Sequence, residues 1–186
     1  MAGLYSEMYS LVKSGRVFHG STAAAGVLIP VSNTTSPTFG IWNPMGNPYN
    51  AAILSIRFGW FGTTGTPGNI LYNTLLGAGN AIGTSAPISA FNTGTPSNGF
   101  SGQGYASTVK FSPAGTNTLT TAGTVVGVAG MSQLTTTGAT TTAPMWELVD
   151  DMSSMWVVAP GTFFYLTGSA ALLSLMDIEI VWAELQ

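Results

Sequence analysis

Short runs of β-branched and aromatic residues follow one another from Gly15 to the end of the chain. Clusters of Gly, Pro, Asn, Ser and Thr separate the runs. This pattern is typical of an all-β domain with closely spaced turns, and it favours an antiparallel β-sandwich. The predicted strands are Arg16–His19, Gly26–Val31, Thr38–Trp42, Ala51–Phe61, Ile70–Asn73, Tyr105–Phe111, Thr124–Val128, Pro144–Val149, Trp156–Val158, Thr162–Thr167 and Asp177–Ala183.

Two of these stretches show the period of two that marks a strand with one buried face. Near the end of the chain, Ile178, Ile180 and Trp182 alternate with more polar neighbours and predict a core-facing row. In the stretch 53–61 the alternation predicts a second core-facing row, which consists of Leu54, Ile56, Phe58 and Trp60.

The first fourteen residues predict a short helix or arm before a single β-sandwich domain of residues 15–186. Apolar residues recur there at helical spacing, at Leu4, Met8, Leu11 and Val12. Lys13 follows where a cation complements the end of a helix. We expect this segment to pack against the body of the domain; a docking arm that reaches a neighbouring subunit is the alternative.

The interval 62–104 predicts a long Gly/Thr/Ser-rich loop region with brief apolar islands. Long loops in compact domains are usually functional or ordered by a partner. Here the partner could be another copy of the same chain. A second tract of low complexity, TTTGATTT at 135–142, favours extended backbone but offers little to bury.

Charge is scarce: 6% of the residues are charged, against roughly 25% in soluble domains. No ionisable Asp, Glu, Lys, Arg or His lies between Arg57 and Lys110. A surface so poor in ions favours burial between copies. The net charge of −3, without a basic stripe, argues against binding nucleic acid. The absence of cysteine excludes disulfides and thiolate sites.

The sequence offers little for nucleophilic catalysis. A triad could formally be drawn from His19 with Asp150 or Asp177, but no G-x-S-x-G elbow is present. We therefore expect His19 to be a structural strand residue. Gly102-Gln103-Gly104 is too short a match for a nucleotide-binding loop.

Two groups of carboxylates raise the possibility of acid/base hydrolysis or calcium binding. They are Glu147 with Asp150 and Asp151, and Asp177 with Glu179. Close neighbours in sequence rarely face each other across a cleft, and no calcium-loop motif is present. The sequence thus assigns no catalytic residue, no cofactor-binding residue and no metal ligand. We expect a protein without a cofactor that is not an enzyme.

Neither end of the chain predicts a membrane segment. Met1–Val12 contains Glu7 and two serines where a signal peptide needs an unbroken apolar run. The uncharged interval Met155–Met176 is long enough to span a bilayer, but Pro160-Gly161 interrupts it. Two strands and a connection suit this interval better than one helix. We expect the protein to fold in a cytoplasm and to bind no membrane.

Aromatic residues are distributed over the predicted strands, where core or subunit interface is the expected location. Aromatic rings with Asn/Thr-rich loops can also bind sugars, so a glycan-binding module remains an alternative. The aromatics considered are Trp42, Tyr49, Phe58, Trp60, Phe61, Tyr72, Trp146, Trp156, Phe163, Phe164, Tyr165 and Trp182.

Three short segments carry a family resemblance. They are Trp42-Asn43-Pro44-Met45-Gly46 with Asn50 and Ile53-Leu54-Ser55-Ile56, then Pro160-Gly161-Thr162-Phe163, and the ending Ile180-Val181-Trp182-Ala183-Glu184. Together they resemble jelly-roll virion proteins of tailed bacteriophages. The resemblance implies a jelly-roll-like β-sandwich, frequently a trimer, that decorates the capsid or belongs to a head or tail appendage. It implies that the NP-x-G and PG-x-F turns are bends of the sandwich.

Charge depletion and the resemblance together predict a capsid decoration or cement protein located in the virion. It would self-associate, with a trimer favoured, and bind the major capsid protein or other virion proteins, stabilising the shell by mass action. We expect the interfaces in the 62–104 loops and the N-terminal segment. The alternative is a receptor- or glycan-binding module of a tail or fibre appendage.

Overall fold

The backbone forms a long antiparallel hairpin that is rolled into two sheets. The computed structural model describes residues 2–23, 26–60, 68–79, 82–83, 86–100, 104–115, 117–129, 147–170 and 175–186. Its elements are α1 (Ala2–Lys13), β1 (Val17–Ser21), β2 (Gly40–Asn43), β3 (Asn50–Trp60), β4 (Ile70–Leu76), β5 (Ile88–Ala90), β6 (Ser97–Asn98), β7 (Lys110–Ser112), β8 (Thr118–Leu119), β9 (Thr124–Val128), β10 (Glu147–Val158), β11 (Thr162–Gly168) and β12 (Met176–Leu185).

Four nested pairs define the hairpin: β1 with β12, β2 with β11, β3 with β10, and β4 with β9, all antiparallel. Pairing of β12 with β3 and of β11 with β4 rolls the hairpin up. Sheet A has the order β10-β3-β12-β1-β6, and sheet B has the order β7-β2-β11-β4-β9. This arrangement of eight main strands is the jelly roll. The predicted all-β sandwich is confirmed.

The connection from β4 to β9 adds strands at the sandwich edges. β6 pairs with β1 at the edge of sheet A, and β7 pairs with β2 at the edge of sheet B. β5 and β8 form a small third sheet. The interval 62–104, predicted as a loop region, therefore holds β4, β5 and β6 among its described residues.

Two apolar layers surround sheet B. The main core lies between the sheets, where Trp182 stacks on Phe18 with ring centroids 5.8 Å apart. The outer face of sheet B is covered by the small sheet, through Ile88 and Leu119 packed near Phe163. β11 is consequently buried on both faces, which explains its almost continuous apolar sequence.

The predicted core row of β3 is half correct. Ile56 and Phe58 are fully buried between the sheets, as predicted. The register with β12 shifts at Leu54, which is one extra residue on β3. The pairing with β10 is also irregular there, but the extra residues lie on β10, between Asp151 and Trp156. This β-bulge reverses the alternation, so Ile53 enters the core and Leu54 faces outward. The prediction that Leu54 shares a face with Ile56 and Phe58 was wrong; Leu54 is buried, but in the cluster on the outer face of sheet A. Trp60's side chain lies outside the described residues.

Helix α1 forms as predicted and ends against the domain. Leu11 and Val12 pack on the outer face of sheet A, against Val17, Leu54 and Ala183. This contact agrees with a segment that packs on the body. The side chains of Leu4 and Met8 lie outside the described residues.

Four other predicted strands differ from the structure. Gly26–Val31 forms only isolated bridges, because Gly26 has a φ of 69° and Pro30 has no N–H to donate. Pro144–Val149 and Trp156–Val158 belong to one strand, β10, as far as they are described. In Tyr105–Phe111 only the last two residues are extended into β7. The tract 135–142 lies outside the described residues.

Candidate functional site

The charged side chains of sheet A form a row across its outer face. Glu179 lies on β12 between His19 of β1 and Arg57 of β3. Its carboxylate is 3.3 Å from Nδ1 of His19 and 3.6 Å from Nη1 of Arg57. Glu179 and Arg57 are direct cross-strand partners, the position at which opposite charges stabilise a sheet. All three side chains are partly exposed, so the contribution to stability is small.

The structure does not assemble a triad from His19. Asp177 accepts a hydrogen bond from the Thr22 hydroxyl at 3.2 Å, and Asp150 lies on the far strand β10. Glu147's side chain lies outside the described residues. Within the part of the chain that is described, no group of three or more His, Asp or Glu could hold a metal ion.

Asp150 and Tyr72 form a hydrogen bond between the two sheets. The Tyr72 hydroxyl donates to Oδ2 of Asp150 at 2.5 Å. Burial raises the pKa of the Tyr72 phenol, and the hydrogen bond and negative charge of Asp150 raise it further. Tyr72 therefore keeps its proton at physiological pH and acts as a donor. This hydrogen bond links β10 of sheet A to β4 of sheet B.

The NP-x-G and PG-x-F motifs, two of the segments that carry the family resemblance, lie in bends at one end of the sandwich. The N–H of Gly161 donates to the carbonyl of Asn43 at 2.8 Å. Gly161 has a φ of 82°, a conformation that favours glycine. The buried Asn43 amide donates to the carbonyls of Tyr49 and Val158. These contacts hold the bends together.

At the same end, Glu184 carries a buried carboxylate that is enclosed by hydrogen-bond donors. Its oxygens accept from the hydroxyls of Ser107 and Thr108, both at 2.6 Å, and from the N–H groups of Thr108 and Val109. Because these N–H groups donate to Glu184, they are not available to pair with a neighbouring strand. This explains why β7 begins only at Lys110. This contact could not be predicted from the sequence, because the partners are 75 or more residues apart.

The sheet edges differ in how they are protected against pairing with another chain. Within the described ranges, β6 and β7 are edge strands of only two and three residues, and β7 carries Lys110. β10 carries Asp150, Asp151 and a register irregularity. Short length, charge and irregularity are the usual means by which proteins block edge pairing.

Among the described strands, β9 is the edge strand that carries no charge and is longer than three residues, so a register irregularity is its one such protection. It has five residues, no charge, and three exposed valines: Val125 at 41%, Val126 at 36% and Val128 at 53%. A register shift opposite Tyr72 and Asn73 bends the strand but leaves the valines outside. The sequence predicted this strand; its place at an edge could not be read from the chain. β9 is the candidate interaction site.

Most of the aromatic residues lie in the core, as predicted, including Trp42, Phe58, Phe163 and Trp182. Phe61 and Trp146 lie outside the described residues. Tyr49 differs, because its ring and that of Tyr105 flank Arg16. Sequence reasoning missed Tyr105, which lies far from both partners along the chain.

The interval 155–176 contains β11 and the ends of two other strands. The described helix is too short and too polar to cross a bilayer. No family model, curated protein or solved structure matches this chain.

Proposed function

We propose that this protein is a virion structural protein, a decoration or cement protein that associates with copies of itself and stabilises a viral head. The observation that carries the proposal is β9, an uncharged and valine-rich edge strand among the described strands, on a jelly-roll domain in which only 6% of the residues are charged. Jelly rolls are common in viral capsids, but the fold alone assigns no function. The resemblance of three short segments to phage virion proteins supports a location in a virus particle.

Self-association would use β9 together with its surroundings. Five residues span only about 17 Å, which is too little for a stable interface by itself. β10 lies beside β9, since Trp156 of β10 contacts the strand at Gly127. β10 exposes Val149 and Val157, which lie on the outer face of sheet A next to this edge. Pairing of β9 with β9 about a two-fold axis would give a dimer, whereas the trimer that we favour needs β9 to meet a different surface of the next copy.

A surface of this composition suits a particle that leaves the cell. Contacts built from valine, threonine and backbone groups neither titrate nor weaken in salt. Binding that favours the assembled shell then stabilises it by mass action.

The test is the location of the protein in particles. Antibodies against the purified chain should label the heads of virus particles produced by cells that carry its gene. Particles that form normally without the protein in their heads, or with label only on a tail tip, would contradict the cement function.

A further inference from the structure

Arg16 lies between two tyrosine rings at the end of the sandwich where β1 begins. Its guanidinium carbon is 4.3 Å from the centroid of the Tyr49 ring and 5.1 Å from that of Tyr105. A guanidinium stacked on aromatic faces keeps its N–H donors in its own plane. The Arg16 side chain is only partly buried.

Hydrogen bonds hold the backbone of both tyrosines. The N–H of Tyr105 donates to the carbonyl of Gly15 at 3.3 Å, and the Asn98 amide donates to the carbonyls of Gly15 and Tyr105 at 2.7 and 2.9 Å. On the other side, the carbonyl of Tyr49 accepts from the buried amide of Asn43 at 2.9 Å. The two segments that carry the rings are therefore held before a ligand arrives, which reduces the entropic cost of binding.

The positive charge of Arg16 has no partner within the described part of the chain: its guanidinium forms neither an ion pair nor a hydrogen bond there. Glu184 is its neighbour through the backbone, since the N–H of Glu184 donates to the carbonyl of Arg16. The carboxylate of Glu184, however, is occupied by Ser107, Thr108 and Val109. A fixed cation without a counter-charge, in a protein with so few ions, is an anion-binding group.

We propose that Arg16, Tyr49 and Tyr105 bind an acidic saccharide. The guanidinium would hold the carboxylate of the sugar through two parallel hydrogen bonds. The ring of Tyr105, 62% exposed, would cover the apolar C–H face of the sugar. An acidic sugar carries its carboxylate and an apolar C–H face on one rigid ring, which matches the Arg16 guanidinium beside the Tyr105 ring. A flexible acidic peptide would lose more conformational entropy on binding.

The saccharide site is separate from the self-association surface. Arg16 precedes β1, which lies towards one lateral edge of the sandwich, whereas β9 forms the opposite edge. Saccharide binding and oligomerisation can therefore be tested independently of each other.

Calorimetric titration of the full chain tests the proposal. The probes are tetragalacturonate, a hyaluronate tetrasaccharide and sialyllactose, each with its methyl ester, which keeps the ring and removes the charge. We expect at least one acid to bind and its ester to bind at least about tenfold more weakly. Arg16→Lys, which keeps the charge but loses the planar fork, should weaken binding about tenfold. Tyr105→Leu should also weaken binding, and Arg57→Gln, which removes a cation on the outer face of sheet A, should leave binding unchanged.

Three results would overturn the proposal. The first is that none of the acids binds a wild-type protein whose thermal unfolding shows that it is folded. The second is that esters or Arg16→Lys bind as tightly as the acid binds wild type. The third is that inorganic phosphate or a glutamate-rich peptide displaces the saccharide at equal concentration, which would leave an anion site without preference for sugars.

Discussion

Thr108 donates to Glu184 through both its hydroxyl, at 2.6 Å to Oε2, and its backbone N–H, at 3.1 Å to Oε1. Glu184 is only 2% exposed, so its carboxylate oxygens have these donors as partners in place of water. A buried carboxylate is tolerated only when it is well hydrogen-bonded. The contact ties the end of β12 to the segment that leads into β7.

The first prediction concerns this contact. Glu184→Gln replaces one carboxylate oxygen with an NH2 group, which then faces hydroxyl and N–H donors of the segment 107–109. The free energy of unfolding should therefore fall by about 2–4 kcal/mol. Thr108→Val removes one hydroxyl donor and should cost about 1 kcal/mol. Urea unfolding measures both. Thr120→Val is the matched control, because that exposed hydroxyl makes only a 3.4 Å contact with Pro87; an equal loss in the control would refute the assignment.

The second prediction tests the bulge in β3. Ile53→Ser places a hydroxyl in the core between the sheets and should cost about 3 kcal/mol or more. Leu54→Ser affects the contact between sheet A and Leu11 of α1, so it should cost less and release the helix. Thermal unfolding and hydrogen exchange of the α1 amides measure the two effects. If Leu54→Ser cost more stability than Ile53→Ser, Leu54 and not Ile53 would face the core between the sheets, and the bulge would be contradicted.

Features of the fold that depend on neighbouring residues could be predicted from the sequence, whereas features that depend on remote residues could not. The row Ile178, Ile180 and Trp182 was predicted correctly, because an uninterrupted period of two depends only on neighbouring residues. The bulge at Leu54 was not predictable, because it depends on the pairing of β3 with β12. The enclosure of Glu184 was equally hidden, since its donors are remote in sequence. The candidate site was predicted as a strand, but its status as an edge follows from topology.

The third prediction concerns alkaline pH. The pKa values of Tyr72 and Tyr165 are both raised in the folded protein, with burial as the main cause. The unfolded chain loses these protons near pH 10, whereas the folded chain retains them. Stability is therefore fully present below about pH 10 and falls as the pH rises above it.

Absorbance at 295 nm, followed with far-UV circular dichroism, measures this effect. Two of the six tyrosines should ionise only together with unfolding. In Tyr72→Phe the alkaline loss of stability should be smaller, although the variant is less stable at neutral pH because Asp150 loses its donor. Free ionisation of all six tyrosines in the folded protein would contradict the prediction.

The fourth prediction concerns the edge strand β9. A lysine on an exposed edge strand opposes pairing with another chain, because association would bury its charge. Val128→Lys should therefore weaken self-association by at least about tenfold without a large change in thermal stability. Val31→Lys is the matched control, since this valine is exposed to a similar extent but lies outside the named strands.

Sedimentation velocity of the wild-type chain at micromolar concentration, beside these two variants, tests the central claim most directly. We predict that the wild type and Val31→Lys sediment as an oligomer, with a mass of about three times the 19.2 kDa chain favoured, and that Val128→Lys sediments as a monomer. A wild-type protein that sediments as a monomer, or a Val128→Lys variant that remains fully assembled, would contradict self-association through β9.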